Sequence, residues 1–305
     1  MKSVLPVVSV VAFLLVVWIV SVVPMNIHLA ADQAARGDVA VQPDDARARQ
    51  EVGAVALALR NPAVIPMTYT LDRPRLPGPQ QVVGELWNTV FMVSPTSRQS
   101  LIYHGWVTLS ATLLGFAMGT ALGIALAVGI VFSRTMDLSV MPWAIASQTI
   151  PILALAPMII VVMGAIGIQG LLPKAIISAY LSFFPVVVGM VKGLRSPDAM
   201  QLDLLRTYHA GPAQGFWKLR LPASVPYLFA SLKIGISASL VGAIVGELPT
   251  GARAGFGARM LVGDQYGQPL VTWAALFAAA ITAAALVGLF ALMERITLRR
   301  MGMAA

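Results

Sequence analysis

Asp203, Arg206, Tyr208 and His209 bring a carboxylate, a guanidinium, a phenol and an imidazole within seven consecutive residues. That inventory could serve acid–base chemistry, or it could anchor a protein partner, since Arg and aromatic side chains dominate interface anchors. Nothing beyond residue type supports a Ser–His–Asp arrangement. The three histidines, His28, His104 and His209, are scattered and form no metal-ligand pair or H-E-x-x-H. Cysteine is absent, which excludes disulfides, iron–sulfur clusters and thiol nucleophiles. No G-x-x-x-x-G-K-S/T occurs, and the glycine-rich run 251–257 lacks the Lys-Ser/Thr pair that cradles ATP phosphates. The expectation is no catalytic residue, no metal and no cofactor bound by this chain.

The elements that must position these residues are membrane spans. Hydrophobic residues make up 58% of the 305 and charged residues only 11%, against about 25% charged in soluble domains. The mean hydropathy is +0.80. The net charge of +8 does not point to nucleic acid, because the basic residues flank apolar runs rather than sharing one soluble face. Six runs approach the ~20 residues that cross a bilayer: 4–23, 105–132, 141–163, 171–191, 226–248 and 272–293. The expected fold is an all-α polytopic transmembrane bundle of six spans. A cleaved leader is the competing reading of the first run, which is long for one and lacks a small-x-small site directly after it.

Charge placement orients the spans. Lys2, Arg134, Lys192, Arg195, Arg206, Lys218, Arg220, Arg295, Arg299 and Arg300 fall on one side, and Lys174, Arg253 and Arg259 in short loops on the other. The positive-inside rule then puts both termini and the 203–222 segment in the cytoplasm. The organisation reads as a first span (1–25), an external segment (26–104), a core (105–295) whose cytoplasmic segment is 198–222, and a cytoplasmic tail (296–305). In the external segment 46–60 reads as helical and the prolines of 61–79 as an extended connector. Residues 80–93 read as a helix with Val83, Leu86, Trp87, Val90 and Phe91 on one side, either at the membrane interface or as a solvent-side cap.

Within the spans, Ala111, Gly115, Gly119, Gly123 and Ala127 recur every four residues, a small-residue ridge for tight packing within the chain or against another subunit. Pro151 and Pro157 predict a kinked third span. Lys233 and Glu247, read as the charges inside spans, are ~21 Å apart along one helix and cannot pair. Lys233 is expected to snorkel. Glu247 is expected either to make structural hydrogen bonds or to line a pathway. Ser147, Gln148, Thr149, Ser178, Ser182, Ser237 and Ser239 complete a candidate pathway of uncharged polar groups that suits a small polar solute.

The 203–222 segment resembles the cytoplasmic loop of ABC-importer permeases, which reads Glu-Ala-Ala, three residues, Gly, nine residues, Ile-x-Leu-Pro. Asp203-Leu204-Leu205 stands at the first three positions, His209 at the glycine, and Leu219-Arg220-Leu221-Pro222 at the end. With histidine at that glycine position, Gly211-Pro212 is expected to supply the bend. The run 150–174, Phe183-Phe184-Pro185, Gly193-Leu194 and Gly255-Phe256-Gly257 resemble permeases of the nitrate/taurine/sulfonate family. The fifth span is closer to permeases for pyrimidine-type vitamin precursors. The resemblance covers about 75–295. It implies a type I ABC-importer permease of a bacterial inner membrane, working by alternating access with a second permease subunit as a homodimer and an external solute-binding protein. ATP and Mg²⁺ would be held by separate ATPase subunits, which would dock on Asp203, Leu204, Leu205, Arg206, Tyr208, His209, Ala210 and Gly211. A secondary active transporter is the alternative, though no inverted repeat is evident.

Overall fold

The computed structural model describes residues 4–37, 39–248 and 252–303. Its helices are α1 (Val4–Arg36), α2 (Ala46–Glu51), α3 (Ala54–Arg60), α4 (Pro79–Trp87), α5 (Leu101–Phe132), α6 (Arg134–Ser147), α7 (Ile152–Ala165), α8 (Leu171–Leu194), α9 (Ala199–Thr207), α10 (Pro212–Gly215), α11 (Leu221–Glu247), α12 (Phe256–Gln265) and α13 (Pro269–Arg300). No strand occurs among the described residues. Five helical stretches there are long and apolar enough to cross a membrane, and a sixth if the bent α6–α7 pair is one span. The chain divides into two compact units, Met1–Ile102 with Arg259–Ala278 and Tyr103–Ala258 with Ala279–Ala305.

In the first unit α1 runs well past the expected end of its span, through Pro24 to Arg36. Its second half is the spine of a small cap. Ile27, Ala30, Ala31 and Ala34 pack on Leu57, Val64 and Leu71. Asn26 uses its whole side chain: Nδ2 donates to the Thr68 and Leu76 carbonyls, and Oδ1 accepts from the Arg75 and Leu76 amides. A buried amide so satisfied fixes the proline-rich connector with no polar group left over. The expected helix at 46–60 is two helices, because Gly53 between them is extended. The connector 61–79 is less extended than expected, with tight turns at Pro62–Val64 and Pro66–Tyr69. Val83, Trp87 and Phe91 are exposed along α4 and the π turn that follows it.

In the second unit α8 is the central helix. Gly115 and Gly119 of α5 lie so close to it that a Cβ on either would overlap Ser178 or Ser182, and Gly123 meets Val186. On its other side Gly242 of α11 leaves room for the Ser178 backbone, and Gly189 and Gly193 of α8 admit Ser231 and Ser224. The small-residue ridge therefore serves packing within the chain. The third span is broken rather than kinked: α6 and α7 meet at 98°. Pro151 has no N–H for the Ser147 carbonyl, and the Tyr180 hydroxyl donates to that carbonyl instead. The substitute donor comes from α8, so the break is held open by tertiary structure.

Candidate functional site

The end of the second unit that carries α9 builds one candidate surface. α9 is amphipathic. Its C-terminus closes in a Schellman motif, in which the His209 amide donates to the Arg206 carbonyl and the Ala210 amide to the Leu205 carbonyl. This requires a left-handed residue, and His209 takes it, with φ 54°. Gly211 is extended, with φ −68°. The bend is therefore made at the position where the resembling loop has glycine, not at Gly211-Pro212 as expected. Leu205 turns inward toward Gly215. Asp203 pairs with Arg206 at 3.0 Å in the open. Such an exposed pair adds little stability but sets two charges on the surface beside Met200 (82% exposed), Leu204 (57%) and Tyr208 (76%). These three recur every four residues and so share one face. Trp217 is also exposed. Met200 and Trp217 escaped the sequence reading, although the four-residue spacing from Met200 to Leu204 to Tyr208 was visible.

Behind this surface Arg220 donates to the Leu194 carbonyl at 2.7 Å. It also lies over the Phe132 ring, which meets Phe216 edge-on. The segment is thus bound to the ends of both α5 and α8.

The far ends of α8 and α11 hold a second polar cluster. Glu247 is 0% exposed. It accepts from the Thr108 hydroxyl and the Gly257 amide, each at 3.0 Å, and Lys174 Nζ stands 3.6 Å away. Lys174 also donates to the Ala254 carbonyl at 3.1 Å. Thr108 Oγ1 accepts from the Phe256 amide, and His104 Nδ1 from the Gly255 amide. The loop 254–257 is in this way wrapped around one carboxylate. Lys174 belongs to the first turn of α8 rather than to a free loop. Lys233, expected to snorkel, instead pairs with Glu294 of α13 at 2.6 Å.

The groups expected along a pathway divide. Ser178 and Ser239 are fully buried in the seam of α5, α8 and α11, donating to the Ser239 and Thr112 carbonyls. Ser182 is buried as well, and Ser237 bonds back to the Lys233 carbonyl. None of these four, nor Glu247, is among the residues lining the cavity beside Lys174; the hydroxyls of Ser178, Ser237 and Ser239 bond to backbone carbonyls and the loop takes up the carboxylate. Gln148 and Thr149 are exposed at the α6–α7 break, with Ser147 half-buried beside them. A cavity of about 930 Å³ lies next to the Lys174 cluster, lined by Tyr103, Trp106, Ser110, Gln169, Lys174 and Arg253 among others.

A multi-span helical bundle with an exposed amphipathic segment at one end of its second unit and a cavity at the other defines a polytopic membrane protein, and its family says which kind. The chain belongs to the family of binding-protein-dependent transport system inner membrane components, whose model matches residues 119–303. It is 32% identical over 200 residues to a probable ABC transporter permease of Haemophilus influenzae, covering 66% of this chain and 76% of the relative. It is 32% identical over 225 residues to the riboflavin transport system permease RibX of Chloroflexus aurantiacus, covering 73% and 80%. It is 32% identical over 183 residues to the formylaminopyrimidine transport permease ThiX of Halalkalibacterium halodurans, covering 60% and 68%. The chain is thus the multi-pass inner-membrane permease component of a binding-protein-dependent ABC importer, a family in which ATP is hydrolysed by a separate subunit and a binding protein supplies the solute. The secondary-transporter alternative falls away.

Proposed function

We propose that the chain passes a small polar solute across the inner membrane by alternating access, paired with a second copy of itself, and that α9 and the turn after it receive the ATPase. Asp203, Leu204, Leu205, Arg206, Tyr208, His209, Ala210 and Gly211 form the coupling segment. The observation that carries this is the exposed Met200–Leu204–Tyr208 stripe beside the Asp203–Arg206 pair, an aromatic and charged face left open by the described residues. Basic residues gather at that end, which supports a cytoplasmic location for it and for both termini. Ser147, Gln148, Thr149 and the 930 Å³ cavity are the accessible groups for a solute path. Ser178, Ser237 and Glu247 act as packing and loop-holding groups beside it.

Among solutes, a pyrimidine-type heterocycle ranks ahead of sulfonate, nitrate or taurine. The formylaminopyrimidine relative is 32% identical, whereas relatives named for aliphatic sulfonates and nitrate are 26% and 25% identical.

The test is the double variant Asp203→Lys/Tyr208→Ala, expressed with the partner ATPase. Normal membrane abundance with loss of ATPase co-purification and of uptake is expected. Uptake equal to the parent would remove the coupling assignment.

A further inference from the structure

The cavity beside Lys174 has one-sided chemistry. Lys174 and Arg253 line it, and no acidic residue among the described residues does. Glu247 neutralises Lys174 only from behind, being fully buried itself. Lys174 spends one ammonium hydrogen on the Ala254 carbonyl and holds Glu247 loosely at 3.6 Å. An ammonium has three donors, so one remains for a solute. Arg253 is exposed and has no ion pair or hydrogen bond among the described residues. To the same lining α5 contributes Tyr103, Trp106 and Ser110, which the helical repeat sets on one face. Trp106 is 70% exposed. Gln169 adds an amide from the turn between α7 and α8.

A lining that joins aromatic side chains with two cations suits a molecule with a flat ring and a negative group. Apolar walls with a few placed polar groups are the usual form of a small-molecule site, and about 930 Å³ is ample for one. A bare inorganic anion would leave the aromatic wall unused, and a cation would meet two like charges. We propose that this cavity is a transit site for a small planar organic anion, its ring along Tyr103 and Trp106 and its charge toward Arg253 and Lys174. The proposal rests on reading the cavity as part of the solute path, and it narrows the solute class from polar heterocycles to anionic ones.

The experiment uses the permease with its ATPase subunits in nanodiscs and reads quenching of Trp106 fluorescence, obtained as the difference from a Trp106→Phe sample. Three probes are titrated: orotate, a planar pyrimidine carboxylate; uracil, the same ring without the carboxylate; and taurine, an anionic group without the ring. Orotate is expected to half-saturate at a concentration at least ~10-fold below the other two, which corresponds to ~1.4 kcal/mol. Arg253→Gln should raise the orotate value about 10-fold and leave the uracil value unchanged. Equal responses to orotate and uracil, or an orotate response indifferent to Arg253→Gln, would overturn the anion site. Equal responses to orotate and taurine would overturn the planar ring. ATPase co-purification in the same samples reports separately on the importer reading, so failure of one is visible without failure of the other.

Discussion

Gly255 packs so tightly on Glu247 that a Cβ at position 255 would overlap the buried carboxylate. Its φ of 124° is also a conformation open to glycine and strained for any other residue. Gly255→Ala should therefore lose ~2 kcal/mol or more, read as an earlier thermal transition of the purified permease in detergent. Gly288→Ala, in open space inside α13, should instead hold or raise the transition, by up to about 1 kcal/mol, because alanine is the better helix former.

Glu247→Ala removes the acceptor of the Thr108 hydroxyl and the Gly257 amide at once, and strands Lys174. Glu247→Gln keeps one amide oxygen for these donors. The alanine variant should be the less stable by ~1–3 kcal/mol, with faster proteolysis in the 254–257 loop. Equal proteolysis of both would show that the carboxylate does not hold the loop.

His209 occupies a left-handed position with a β-carbon. Glycine there should be tolerated or stabilising by ~1 kcal/mol, and valine destabilising by a similar amount or more. Melting of the variants gives the order Gly, His, Val. Valine equal to histidine would show that the Schellman turn is not formed.

Lys233 and Glu294 should be more costly to remove singly than together. Lys233→Met leaves the partly buried Glu294 without its partner, whereas Lys233→Met/Glu294→Leu leaves no charge. A double-mutant cycle on thermal stability should give a coupling of ~1–2 kcal/mol. Additive single effects would mean the pair contributes nothing.

Single cysteines at Ala46 and Gln214 test orientation in a chain that has no native cysteine. An impermeant maleimide should label Ala46→Cys from outside intact cells and leave Gln214→Cys unlabelled. The reverse pattern would invert the topology.

The apolar runs announced the spans because the bilayer imposes a length that composition reveals. Their ends were less legible. α1 continues past Pro24 because a cap packs on it, and that cap is organised by Asn26, whose partners lie 42 to 50 residues away. Proline marked the break at Pro151, but its angle depends on Tyr180 from another helix. The four-residue ridge of α5 was plain, though not the helix it would meet. Glu247 stood out as a charge in an apolar run, yet Thr108 is 139 residues away and Thr108 itself gives no signal. The 203–222 segment was the most legible of all as a surface element, because a polar insert between spans must lie at a surface. Its bend falls at His209, one of the side chains enriched at left-handed positions, whereas Gly211-Pro212 carries the more familiar turn residues.

α11 is one unbroken helix of 27 residues, ~40 Å long. Arg220 fastens its base, and Glu247 fastens the loop at its tip. A stiff beam anchored at both ends has no slack in which to lose a push. If α9 and its turn receive the ATPase as proposed, a displacement at Trp217 would be carried by this beam to Gly257, so that the two ends would move together rather than independently. Leakage through a doubly open state would then be limited by mechanics, before any difference in solute affinity is needed to limit it.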